Sequence, residues 1–435
     1  MKHFRHLKTF LPLLLCSLAF AAPTSHAVGG LTTETLATVV DDSLFRKLIN
    51  IRRDLHENPE LAGNEARTSA QIAAHLRALG LEVQAGLYGH SVVGVLRGGH
   101  AGKTIAWRAE LDALRGDFAD PVHFKSRTPS VHHACGHDVH IAIALGVAEV
   151  LAKQRASLHG TVVFIFQPEE ETFKGAKGLI DRGVFSALAP DEIYGLHVTA
   201  LPVGQIVVRA NEMFSYSRRL NIHFRETLSK TEIDQLAKQV HRDLSRTRPG
   251  AKPWEIQHAG DPLVGITAEA TAFQDYLIMD ANFDTHNENG ELVLGTNLYE
   301  TNASKLDEII PQVLRAVAKS GLKERLVKVV FAQENPTVLN DPKLTSRAVH
   351  ILQKVGGADI RLAYGQAPFF NDDFAYFQQK IPGVYFFLGG SNAEKGIVAL
   401  NHAPNFQVDE ESIRVGVNSF SSLIKESLAL PHQSK

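Results

Sequence analysis

The 435-residue chain has two cysteines, three methionines and no charge excess of either sign: 45 Lys and Arg face 47 Asp and Glu, a formal net charge of −2. Two cysteines, Cys16 and Cys135, exclude a disulfide-stapled scaffold. The absence of a basic excess speaks against a nucleic-acid binder, and no acidic run marks a solvating tail. There is no internal repeat and no low-complexity tract. What is present is a content of 44% hydrophobic and 21% charged residues, enough to bury a large core. At about 100–200 residues per domain, this length predicts two or three domains.

One apolar run stands apart. Lys2, Arg5 and Lys8 precede an apolar stretch from Phe10 to Ala22, and Ser25-His26-Ala27 supplies small residues where a signal peptidase cuts. The pattern predicts a secretory signal peptide over residues 1–27 rather than a membrane anchor, with the mature protein secreted or periplasmic and free of the membrane. Cleavage removes three basic and no acidic residues, so the mature charge is (45 − 3) − 47 = −5. It also leaves Cys135 as the only thiol, a liability in an oxidising compartment unless buried or bound to metal.

Apolar spacing predicts helices over 44–58, 66–79, 139–155 and 175–183, with strands at 91–96, 104–107, 161–166, 193–197 and 205–208. Such alternation implies an α/β domain built on a mainly parallel sheet. Near residue 213 the texture changes. A strand at 218–224, a helix at 231–244, strands at 264–270, 276–284 and 292–297, a helix at 303–319 and a strand at 326–331 describe an α+β unit with one antiparallel sheet. The α/β texture then resumes with a helix at 342–354, a strand at 385–388 and a helix at 409–427. The expected organisation is a catalytic domain in two parts, 28–212 and 334–435, interrupted by a smaller α+β lid at 213–333.

Ligand-type side chains concentrate in His132-His133-Ala134-Cys135-Gly136-His137-Asp138-Val139-His140, a loop leading into a helix. Cys135 and His137 are two apart, so a turn can aim both at one cation, and thiolate with imidazole suits zinc or another borderline metal. A histidine-rich exposed loop without metal explains the stretch equally well. A second piece, Gln167-Pro168-Glu169-Glu170-Glu171, follows a buried strand at the end where α/β sheets place their sites. Adjacent carboxylates there can divide into a metal ligand and a base, or can simply decorate a helix N-terminus. His197 ends a strand, His402 sits in a loop before the last helix, and Glu110 and Asp112 close a strand on one face. Taken singly, none of these is specific.

Together they resemble the amidohydrolase branch of the dinuclear metallopeptidase and aminoacylase family, with its hippurate, N-acyl-amino-acid and indole-acetyl-amino-acid hydrolases. Seven blocks fall in the family's order: IRRDLHENPELAGNEARTS, RAELDAL, HACGHDVH, FQPEEETFKGAKGLIDRGVF, YGLHVTALPVGQI, NDDFAYFQQKIPGVYFFLG and NHAPNFQVDEESI. The resemblance implies two divalent ions, zinc, manganese or cobalt, held by Cys135, His137, Glu171, His197 and His402. It implies Glu170 as the catalytic base, Asp112 as the acid that tunes the metal site, and a small N-acyl amino acid or peptide as substrate. Two such ions lower the pKa of a shared water and polarise an amide carbonyl. A metal-bound Cys135 also accounts for a lone exported thiol.

The chain departs from the family in two places. Glu110 stands where relatives carry Asp, and the lid lacks the Gly-Gly-His loop that delivers a histidine to the substrate carbonyl, often across a dimer. His223, His241, His258 and His286 lie in the lid without an assignable role. The leading expectation is therefore an exported metal-dependent amidohydrolase of N-acyl amino acids. The alternatives are a dipeptidase or carboxypeptidase, and a metal-retaining binding protein that lost turnover with the altered lid. A homodimer through the lid and a monomer both stay open.

Overall fold

The computed structural model describes residues 40–430. The expected signal peptide, its cleavage point and Cys16 lie outside the described residues. Among these, no helix is long and apolar enough to cross a membrane.

An eight-stranded sheet organises the chain. Its order across the sheet is Glu82–Ala85, Val92–Arg97, His159–Gln167, His100–Glu110, Glu192–Pro202, Gly383–Ser391, Gln205–Val208 and Asp359–Leu362. The four inner strands, from His159–Gln167 to Gly383–Ser391, are mutually parallel; Val92–Arg97 and Gln205–Val208 flank them antiparallel. The expected α/β architecture with a mainly parallel sheet is what is found. The inner strands read as continuous apolar runs because both faces are covered. Trp107, Tyr194, Leu196 and Phe386 point into one core, shared with helices Asp42–Glu57, Ala66–Ala78, His137–Lys153, Pro342–Val355 and Glu411–Ala429. Ala106, Ile193, Tyr385 and Phe387, one residue out of step, point into the other.

Helix His137–Lys153 is buried from His137 to Leu151, which explains its weak amphipathic pattern. Its predecessor Gly136 has φ 92°, and a Cβ there would lie 2.4 Å from Val198 Cγ1. Only glycine tolerates both demands, and this tight entry sets Cys135 and His137 on either side of the turn. Asp138 in the first turn is gripped by Arg52 and His56, each at 2.8 Å, locking the first described helix to the start of this one.

Residues 216–333 build a second, antiparallel sheet from Tyr216–Phe224, Leu277–Met279, Asp284–Glu288, Glu291–Glu300 and Leu326–Gln333. Helices Lys230–Leu244 and Leu306–Lys319 pack on it through Leu236, Val240, Ile309 and Val313. Ser229 and Glu232 form a reciprocal capping box at the first of these helices.

The strand expected at 264–270 does not exist, and the one expected at 276–284 is divided between Leu277–Met279 and Asp284–Glu288. The alternation of Val264 and Ile266 comes from docking, not from pairing. Ile266, Phe273 and Tyr276 insert into the core on the second face of the large sheet. Gly265 folds tightly on Asp261, whose carbonyl oxygen would lie 2.4 Å from a Cβ. Tyr276 Oη donates to the Gln366 carbonyl at 2.9 Å, and the Gln366 amide donates to the Phe273 carbonyl at 2.9 Å.

Candidate metal centre

The expected ligands come from four places in the chain and converge at the carboxyl ends of the parallel strands. Cys135 and His137 flank the Gly136 turn, His197 lies on Glu192–Pro202, Glu170 and Glu171 follow His159–Gln167, and His402 is on the loop before the last helix. Cys135 Sγ lies 3.2 Å from His197 Nε2 and 3.2 Å from His402 Nε2. His402 Nε2 lies 3.5 Å from Glu171 Oε1, and His137 Nε2 lies 3.9 Å from Glu170 Oε2. Three overlapping trios, Cys135–His137–His197, Cys135–Glu171–His402 and His137–Glu170–Glu171, each have donor atoms within 4.8 Å of one another. Cys135 belongs to two of them.

His137 and His197 are each oriented by what the other ring nitrogen binds. His137 Nδ1 donates to the Asp112 carbonyl at 2.7 Å and His197 Nδ1 to the Val198 carbonyl at 2.9 Å, so both Nε2 atoms are turned inward. His140 sits beside them, its ring 4.8 Å from that of His197, yet it is committed elsewhere. The Val198 amide donates to His140 Nε2 at 2.9 Å, so the proton is on Nδ1, which donates to Glu110 at 2.7 Å. His140 is a brace, not a ligand. Asp112 accepts the Glu171 amide at 2.9 Å and so holds that carboxylate in place. His402 has φ 61°, a strained conformation for a residue with a Cβ. Its loop is stapled by Asn401, whose amide donates to the carbonyls of Cys135 and Val198 at 3.0 and 2.9 Å.

The donor set fits divalent cations. His137 Nε2, Asp112 Oδ1 and Glu171 Oε1 are buried without a hydrogen-bond partner, a cost of about 1–3 kcal/mol each unless something satisfies them. Burial, with the charges of Glu171 and Glu170, pushes the Cys135 thiol well up. Burial also raises the Glu170 carboxyl, reinforced by Asp372 and Glu171. Burial pushes His197 well down; for His137 burial acts the same way, but Asp112 and Glu110 overcome it and bring that ring up to about 10. So many acids and a thiol facing one another call for positive charge.

Behind the ligands lies a buried network that sequence reasoning missed. Arg108 reaches Glu110, Asp372 and Asp373, with Nε donating to Gln167 at 2.9 Å and Nη2 to Asp373 at 2.8 Å. Tyr385 Oη donates to Asp372. Glu65, fully buried, accepts the Glu169 amide at 3.0 Å and steadies the left-handed turn at Glu169 that aims the next two glutamates. Asp372 and Asp373 stood in the NDDFAYF block, but nothing in one sequence pairs them with Arg108.

Over the ligands opens a cavity of about 370 Å³, lined by Cys135, Glu170, Glu171, His197 and His402 and walled by Ile256, Phe369, Phe370 and Leu400. None of the four lid histidines lines it. His223 is bound to Glu291 at 2.9 Å, and His241 donates to the Asp280 carbonyl at 2.9 Å.

Comparison with known proteins agrees with this chemistry. Residues 106–426 match the model of peptidase family M20/M25/M40. Thermostable carboxypeptidase 2 of Saccharolobus solfataricus is 32% identical over 387 residues, covering 85% of this chain and 92% of that protein. IAA-amino acid hydrolase ILR1-like 4 of Arabidopsis thaliana is 28% identical over 445 residues, covering 97% and 95%. The crystal structure of Bacillus subtilis YXEP, described as a dinuclear metal binding peptidase from the M20 family, superposes with a TM-score of 0.71 at 26% identity, covering 89% of this chain and 99% of that one. The expected resemblance is borne out: the chain belongs to peptidase family M20/M25/M40, and it is a hydrolase of amide or peptide bonds.

Proposed function

We propose that this protein is an exported amidohydrolase that cleaves N-acyl amino acids or related small amides. Two divalent ions of the zinc, manganese or cobalt kind would be held by Cys135, His137, Glu171, His197 and His402. The observation that carries the reading is the convergence of these five side chains, four of them lining one cavity and His137 fully buried beside them, with the Glu170 carboxylate lining the same cavity 3.9 Å from His137. Bound ions would supply Lewis acidity toward the scissile carbonyl and make water easier to deprotonate.

The protein's own residues do the rest. Glu170 takes a proton from the attacking water as the new C–O bond forms. It passes that proton to the amide nitrogen as the C–N bond breaks, so a carboxylate and a free amine leave. Asp112 holds both His137 and the Glu171 backbone, fixing two ligands relative to the base. The apolar walls of the cavity, Ile256, Phe369, Phe370 and Leu400, favour small, partly apolar amides. The indole-acetyl-amino-acid hydrolase among the relatives supports N-acyl amino acids over longer peptides.

The test is turnover of a panel of N-acyl amino acids and dipeptides by purified protein loaded with Mn²⁺, Co²⁺ or Zn²⁺. Release of free amino acid from the N-acyl members above the dipeptides supports the reading. Preference for dipeptides replaces it with a dipeptidase, and no turnover of any member defeats it.

A further inference from the structure

A second cavity of about 640 Å³ adjoins the one over the metal ligands, and Phe369 lines both. The partition is built from two short segments. On one, Trp254 faces the second cavity and Ile256, two residues on, faces the first. On the other, Phe369 stands between the cavities while Phe370 walls the first. Phe369 has φ 64°, a left-handed conformation unusual for an aromatic residue, and its side chain is left 44% exposed. Trp254 is 51% exposed. A strained, exposed aromatic held edge-on against Tyr299 at 4.8 Å is a feature that folding alone does not require.

The second cavity offers no free positive charge to a ligand. Arg246 lies in its wall, but all three guanidinium nitrogens are engaged: Nε with Asp275 at 3.0 Å, and Nη1 and Nη2 with Glu300 at 3.2 and 2.6 Å. His241 Nε2 is spent on the Asp280 carbonyl. The Asp280 carboxylate adds negative charge, which disfavours a ligand carboxylate there. Apart from the hydroxyls of Ser245 and Thr247, what remains to make contact is Trp254, Ile278, Met279, Ala281 and Phe369, a mainly apolar and aromatic surface.

We propose that this cavity is a distal acyl subsite that receives an uncharged aryl group at the far end of the substrate's acyl chain, reached by passing Phe369. The assignment rests on the amidohydrolase reading above for its direction: the reacting amide lies over the ligands and the aryl end lies beyond Phe369. Aromatic rings prefer such a surface because their faces and edges match those of Trp and Phe.

The test uses the metal-loaded Glu170→Gln protein, so that binding is read without turnover, with N-(4-phenylbutyryl)-L-alanine and N-acetyl-L-alanine as ligands. The sequence has two tryptophans, and the other, Trp107, is buried in the core, so emission changes report on Trp254. The expected result is a saturable emission change with the phenylbutyryl ligand alone, and an affinity for it, measured by titration calorimetry in both proteins, that falls about tenfold in Trp254→Ala. In the active enzyme the ratio of kcat/KM for phenylbutyryl over acetyl substrates falls by the same factor in Trp254→Ala and stays put in Leu263→Ala, an exposed position lining neither cavity. Equal affinity for the two ligands, or an aryl preference that survives both Trp254→Ala and Met279→Ala, overturns the proposal. Absence of all turnover defeats the amidohydrolase reading, while the binding measurement still decides the subsite.

Discussion

Arg108→Met is the sharpest test of how the site is supported. In the parent protein one fully buried guanidinium faces Glu110, Asp372 and Asp373, none more than 2% exposed. Methionine fills similar volume but leaves three acids without their cation. Removing one partner of a buried ion pair costs about 3–5 kcal/mol, a large share of the roughly 5–15 kcal/mol that stabilises a typical domain. The loss should depend on pH. Without Arg108 the folded carboxyls have raised pKa values, so the folded state binds more protons than the unfolded one. Stability then falls as pH rises from the unfolded value near 4, and the deficit is smaller at pH 5 than at pH 7.5. Burial already raises Asp373 to about 7 with Arg108 in place. Arg108→Lys keeps the charge but not the fork, and should fall between. Urea unfolding followed by circular dichroism at the two pH values measures all of this. A loss under about 1 kcal/mol at pH 7.5, or one that does not grow with pH, would refute the reasoning.

Further outcomes follow from the same geometry. Glu170→Gln should lower kcat by about 10²–10⁴-fold with metal content kept; near-normal activity would move the base to Glu169 or Glu171. Gly136→Ala combines a left-handed φ, costing about 1–2 kcal/mol, with a methyl placed 2.4 Å from Val198. It should lower both stability and metal affinity, and unchanged metal affinity would show that the turn does not position Cys135 and His137. Alanine at His223, His258 or His286 should leave kcat/KM within about threefold, since none lines either cavity. Loss of activity in one of them, with fold and metal intact, would show that the lid supplies a catalytic histidine.

Much of this was legible in the chain itself, for reasons that can be named. The buried parallel strands announce themselves as β-branched runs such as Thr161–Phe166, and the amphipathic helices by spacing. The ligands cluster because short loops at strand ends carry chemistry, so HACGHDVH and QPEEE stand out. Edge strands such as Glu82–Ala85 and Asp359–Leu362 are mostly exposed and carry too few apolar residues to be read. The false strand at 264–270 shows that alternation reports burial, not pairing. Long-range partners leave no local trace. Arg108 meets Asp372 across 264 positions, and His140 differs from His137 only in where its second nitrogen is spent.

The central claim is that Cys135, His137, Glu171, His197 and His402 form one two-ion site. Elemental analysis of the purified protein after reconstitution, set beside the Cys135→Ala, His197→Ala and His402→Ala variants, measures it most directly. The account predicts two ions per chain in the parent and fewer in each variant, with circular dichroism unchanged. Less than one ion per parent chain, or full occupancy in all three variants, would contradict it.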